Sequence, residues 1–310
     1  MLREQAALLK AAASLESAAA ALREAVALTA RGQTLAAAEQ GVDVVAVADD
    51  AATGEARVDA EGAQVVVGLF DFTCLGLEPW AKRGYECHAF DIRHPTGNTQ
   101  TASGIHLHGV DLSPPGAIDG ALSRFEGREV AFAMAFPPCT DLSRAGARYW
   151  ATKLAENPNF QADAVAQVTN AVAALERLGC PFFVENPASS RLRSLYREPD
   201  LTFEPCWFGG YLEPDDAHPF YPSHIPNQDA YTKRTALWTG GRFGQLPPQK
   251  RVKPVWKEFT ADAATGKRRR VSPLFYSGGA EGKASRHATP RGFAEAIACA
   301  YATRGRRASQ

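Results

Sequence analysis

The strongest constraint on this chain is a series of apolar runs that each close on a residue able to do chemistry. "AQVVVGLF" (63–70) is continuously apolar, as in a strand buried on both faces. "ECHAFDI" (86–92) and "IHLHGVDL" (105–112) follow, with Asp91 and Asp111 at their ends. "EVAFAMAF" (129–136) runs into Pro137, Pro138 and Cys139, and "PFFVENP" (181–187) carries Glu185 and Asn186. Helical stretches lie between them. "LEPWAKRGY" (77–85) stops at Gly84, and 161–178 has Val165, Val168, Val172 and Leu175 at helical spacing. This alternation predicts an α/β fold with a Rossmann-like, doubly wound, mostly parallel sheet. In such sheets ligands bind beyond the carboxyl ends of the strands, where Asp91, Asp111, Cys139 and Glu185 fall.

The flanks read differently. Residues 4–29 are rich in Ala, Leu and Glu and predict a helix; "VDVVAVA" and "ARVDA" predict a hairpin. No chemistry stands out before residue 64. Residues 188–284 are rich in Pro, Gly and aromatics, poor material for regular structure apart from a strand at "TALWTG" (235–240). Residues 288–304 predict a C-terminal helix, with Pro290 near its first turn.

Composition narrows the class. No apolar run is long enough to span a bilayer, and the charged N-terminal stretch lacks a signal-peptide core; the expectation is a soluble, cytoplasmic protein. Six cysteines occur without a C-x-x-C pair, which argues against a disulfide framework or thiolate zinc site. Cys206, His218 and His224 fit no common ligand spacing, so no metal is expected. Net charge is zero, yet residues 233–310 hold 17 Lys/Arg against 4 Asp/Glu. Lys267, Arg268, Arg269 and Arg270 sit in "GKRRRV" and are candidate contacts to a phosphate backbone. Cys139, held by two prolines with a helix expected to follow, suits an exposed, immobile nucleophile. A lone cysteine behind a strand equally suits core packing.

Taken in order, "GLFDFTCLGLEPWAKRGYECHAFDI" (68–92), "PPC" (137–139), "ENP" (185–187) and "TKRTALWTG" (232–240) resemble the cytosine-5 DNA methyltransferase family, most of all its small phage-encoded members. The resemblance covers about residues 64–240 and the C-terminal helix. It implies transfer of a methyl group from S-adenosylmethionine to C5 of cytosine through a covalent adduct at C6. By carry-over Cys139 is the nucleophile, Glu185 bonds N3 and the exocyclic amine, Asn186 holds the loop or base edge, and Arg234 contacts the base or the cysteine loop. The donor would be held by Phe70, Asp71, Thr73 and Gly76, by Asp91 and Ile92, by Asp111 and by Pro137. The partner would be DNA with a flipped or single-stranded cytosine, met by a monomer in the host cytoplasm if phage-encoded.

The same resemblance divides the chain into an accessory extension (1–63), a catalytic domain (64–240), a small basic recognition region (241–284) and a helix packed back on the catalytic domain (285–310). Three departures stand out. The loop after the first strand keeps only Gly76 of the family's glycines. Ala230 and Thr232 occupy the places of a Gln and an Arg in the arginine motif. Few residues remain for target recognition. These leave room for a carboxylated analogue of S-adenosylmethionine as donor, for RNA as substrate, or for a non-catalytic nucleic-acid-binding relative.

Overall fold

Five of the apolar runs become parallel strands because both of their faces are covered. In a computed structural model, which describes residues 44–46, 64–259, 270–276 and 278–305, these are β2 (Val65–Leu69), β3 (Glu86–Asp91), β5 (His106–Gly109), β6 (Val130–Ala135) and β7 (Phe182–Pro187). β1 (Val44–Ala46) and β4 (Thr99–Thr101) add antiparallel strands at one edge; β8 (Leu201–Phe203) and β9 (Thr235–Gly240) do so at the other. The sheet order is β1-β4-β5-β3-β2-β6-β7-β9-β8. The expected doubly wound parallel sheet therefore holds at the centre, and both edges are antiparallel.

Side chains alternate between two cores. Val65, Val67 and Leu69 face α2 (Ala117–Leu122) and α4 (Phe160–Arg177), the latter reached through α3 (Trp150–Glu156). Val66, Ala89, Phe132 and Met134 face the short α1 (Glu78–Ala81) and the C-terminal helix, Arg291–Gly305. That helix is tied down by Phe293, whose ring stacks on Phe203 at 4.0 Å and meets Phe183 and Phe208. The Asp229 carboxylate accepts from the Gly292 N–H at 2.8 Å, capping the helix from a distant loop.

Some expectations shift. β5 stops at Gly109 because the next loop takes its backbone: the Gly109 N–H donates to Pro95 and the Val110 N–H to Asp91. Asp111 thus stands two residues past the strand. Of the expected N-terminal hairpin, the described part, β1, pairs with β4; the other arm and the 4–29 helix lie outside the described residues. Residues 188–284 hold β8, a series of short 3₁₀ turns and a two-stranded ribbon of Lys257–Glu258 with Arg270–Val271. No helix among the described residues is long and apolar enough to cross a membrane.

Phe293→Ala should remove the central ring of the cluster under the C-terminal helix and cost about 3–5 kcal/mol. Urea denaturation should show this as a lower midpoint with an unchanged slope. A midpoint within error of wild type would mean the helix is held by other contacts.

Candidate active site

The chain leaves β2 for β3 and β5 on one side, then returns to β6 and β7 on the other. Strand order thus reverses between β2 and β6, and the crevice beyond that reversal is the expected ligand position. A cavity of about 440 Å³ lies there, within the range of small-molecule sites. Phe70, Asp71, Thr73 and Pro137 line it from the two loops flanking the reversal. Asp91, Ile92 and Asp111 line it from the ends of β3 and β5. Cys139 and Glu185 reach it from the loop after β6 and from β7.

The loop after β2 is tight. Phe70 and Cys74 adopt left-handed backbone (φ 54° and 57°), a conformation that costs energy in residues other than glycine and gathers at functional sites. Asp71 turns inward here. One carboxylate oxygen accepts from the Cys74 N–H at 3.0 Å; the other is buried without a hydrogen-bond partner. Burial, and then the nearby Asp91 charge, push this carboxyl up to about 7. Gly76 does not line the cavity. It lies beneath the loop, where a Cβ would come within 2.6 Å of the Met134 sulfur.

Asp91 is buried, and its carboxylate is already engaged by Arg93, through the backbone N–H (2.9 Å), Nε (3.0 Å) and Nη2 (3.3 Å). The Arg93 guanidinium also lies 3.9 Å from the centre of the Phe72 ring. Arg93 is exposed while Asp91 is not, so any other partner of this carboxylate must share it with the arginine or displace the arginine into solvent. Ile92 is 57% exposed and offers the cavity an apolar face. Asp111 is exposed and accepts from the backbone and hydroxyl of Ser113, which hold its carboxyl below the usual range.

Cys139 opens a turn rather than a helix: Leu142 and Ser143 donate to its carbonyl, and a 3₁₀ segment (Arg144–Tyr149) follows. The helix expected to follow the thiol is replaced at that place by this 3₁₀ segment. The turn needs Gly146, since a Cβ there would sit 1.8 Å from the Thr140 carbonyl oxygen. Asn186 is fully buried and donates to the Pro137 carbonyl at 3.3 Å, so it braces the cysteine loop.

The arginine motif behaves differently from its reading. Arg234 is exposed and donates to Thr202 on β8 (3.3 Å), away from the cavity. Its neighbour Lys233 enters instead, with a side chain 11% exposed and Nζ 3.9 Å from Glu185 Oε1. Successive residues in extended chain point to opposite sides, so only one of this pair can face the site. That alternation was the available signal for Lys233. Tyr221, Arg286 and His287 close the cavity from distant segments and carried no sequence signal. Of the basic run, Lys267, Arg268 and Arg269 lie outside the described residues; Arg270 is exposed and pairs with Glu258 at 2.9 Å. His218, in the Cys206, His218 and His224 group, accepts from the Phe220 and Tyr221 N–H groups.

Three charges decide the chemistry. Burial pushes the Glu185 carboxyl up against the pull of Lys233, and Oε1 has no hydrogen-bond partner. Burial, then the Glu185 carboxylate, push the Cys139 thiol up; Lys233 and a hydrogen bond with Ser143 oppose them. A proton on Glu185 removes the charge that disfavours the thiolate, so the two groups are linked. The arrangement can deliver a proton from Glu185 while Cys139 attacks as thiolate.

This linkage has a sign that titration can check. Glu185→Gln removes a negative charge beside the sulfur, so the thiol should ionise at lower pH. Lys233→Met removes a positive charge, so it should ionise at higher pH, with Lys233→Arg restoring the wild-type profile. The rate of Cys139 alkylation by iodoacetamide against pH, followed by peptide mass spectrometry, reads both. Identical profiles in all four proteins would show that neither side chain acts on the sulfur. No protein-family model matches this chain, and no curated protein is significantly similar to it.

Proposed function

We propose that this protein transfers a methyl or methyl-derived group from S-adenosylmethionine, or a close analogue, to C5 of cytosine in DNA. The observation that carries the reading is the convergence of Cys139, Glu185 and Lys233 on one cavity at the strand-order reversal. Cytosine C5 is a poor nucleophile until something adds to C6. A thiol beside a proton-donating carboxyl is the pair that such an addition requires.

The residues of the cavity fit the donor. The orphaned oxygen of Asp71 suits a cationic group, Ile92 suits the face of a flat ring, and Asp111 keeps a carboxylate open to solvent. When bound, the donor supplies an electrophilic methyl group on a sulfonium. The Cys139 thiolate adds to C6 while Glu185 gives its proton to N3, which makes C5 an enamine carbon able to take that group. Solvent water then takes the C5 proton as the Cys139 thiolate leaves, and N3 returns its proton to the Glu185 carboxylate, which restores the ring and both groups. Lys233 steadies the thiolate as it forms and leaves. Asn186 keeps the cysteine loop on the carbonyl of Pro137. A cytosine inside a duplex cannot reach this cavity, so it must be flipped or single-stranded. The basic segment 233–310 favours nucleic acid over a free nucleotide.

Nucleoside mass spectrometry of DNA and RNA from cells expressing the protein tests this. Deoxycytidine should gain the mass of CH₂, or of C₂H₂O₂ (a carboxymethyl group in place of hydrogen) if the donor is carboxylated. Cys139→Ala should abolish the gain, and Glu185→Gln should reduce the initial rate by roughly 10²–10⁴-fold. A gain confined to RNA cytidine would move the substrate to RNA. Unmodified cytosine in both pools, with the protein folded and adenosylmethionine present, would count against the enzyme.

A further inference from the structure

Three of the chain's seven histidines meet at one place, and it is not the cavity. Glu86 and His88 lie on the α2-facing side of β3, and His106 and His108 lie on the same side of β5. The parallel register sets His88 directly opposite His106. Their rings stack at 4.6 Å with planes 10° apart. One potential ligand atom from each of Glu86, His88 and His106 falls within 4.8 Å of the others. The group sits at the amino end of the strands, with Glu86 about 16 Å along β3 from Asp91.

We propose that Glu86, His88 and His106 form a binding site for a zinc-class divalent metal ion that ties β3 to β5. Two imidazoles and one carboxylate are a ligand set that zinc takes, leaving the fourth position to water. Tetrahedral zinc, with ligands at 2.0–2.1 Å, needs donor atoms about 3.3 Å apart. Glu86 Oε1 and His88 Nε2 are already 2.8 Å apart, so the adjustment falls on His106, whose ring must turn out of its parallel stack on His88 before both in-plane nitrogen lone pairs can reach one ion. One outer contact is of the kind a metal-bound histidine uses: His108 Nε2 lies 2.9 Å from His88 Nδ1 and can accept from it. Gln100 Nε2 lies 3.0 Å from His106 and is a donor, so the Gln100 amide must turn its oxygen to the ring N–H of a metal-bound His106.

Two features oppose the metal and shape the test. Arg128 grips both Glu86 oxygens, at 2.6 and 2.7 Å, and so competes as a cation. With His88 Nε2 on a metal, Nδ1 must carry the proton and donate to His108. The proton of His108 then moves to Nδ1, where Arg124 Nη1 sits at 2.8 Å. Two donors cannot share that contact, so the exposed Arg124 must swing out. Without a metal the same groups form a closed chain of hydrogen bonds, from Arg124 through His108 and His88 to Glu86. That chain alone is the rival account.

The test uses the full-length protein stripped with a chelator and titrated with Zn²⁺ by calorimetry at neutral pH. One equivalent should bind. His106→Gln should weaken affinity by more than the roughly 10–100-fold expected for the outer-shell His108→Gln. Arg128→Gln should tighten binding, because it removes the competing cation. X-ray absorption of the zinc-loaded wild type should show only nitrogen and oxygen neighbours, at 2.0–2.1 Å; this stands even if a variant does not fold. Failure of the wild type to bind zinc, or a sulfur-containing shell, would overturn the site and leave the hydrogen-bond chain as the account. Neither result depends on cytosine chemistry.

Discussion

The parallel pairing of β6 with β7, with Ala135 opposite Val184, is the constraint on which the site depends. It brings the loop that carries Cys139 and the strand that carries Glu185 to the same rim. Both strands are buried on two faces, so a slip of one residue would drive a full row of apolar side chains into the wrong core. The register is therefore held by the burial of valines and phenylalanines far from any chemistry. The neighbouring pairing of β2 with β6 places the Asp71 loop beside the cysteine loop in the same way. Position in the site is a consequence of packing in the sheet.

On that frame the site sets opposite charges close together at little exposure. The Glu185 carboxylate makes ionisation of Cys139 harder, and Lys233 eases ionisation of both. Desolvation leaves an inert thiol at Cys180, and burial with nearby carboxylates does the same at Cys87, pushing both thiols far up. What separates Cys139 from those cysteines is partial exposure on a cavity, a lysine nearby and a carboxyl that can hold the compensating proton. Buried neighbours that shift one another in this manner gather at functional sites. Asp71, up at about 7 with one oxygen unpaired, is the second such point around the same cavity.

Much of this was legible in the sequence. The five central strands could be read because parallel strands need unbroken apolar runs, and their chemistry-bearing ends followed. Short edge strands carry no such demand, so Thr99–Thr101 and Leu201–Phe203 left no pattern. The motif points to Arg234 as the cavity residue; the alternation of extended chain gives that place to Lys233. The histidine group was present as Glu86-x-His88 and His106-x-His108, period-two spacing on two strands. Its meaning required knowing that β3 and β5 are neighbours. Arg286 and His287 reach the cavity by tertiary packing of an irregular segment, which no local pattern reports.

The central claim is that Cys139 forms a covalent bond to C6 of a cytosine. An oligonucleotide containing 5-fluorocytosine tests this directly, because fluorine at C5 cannot leave as a proton and the adduct cannot collapse. Incubated with the protein and adenosylmethionine, then denatured and digested, it should yield a peptide containing Cys139 linked to the modified nucleotide, and none in Cys139→Ala. An adduct on another cysteine, or no adduct under conditions where the protein binds the oligonucleotide, would contradict the account.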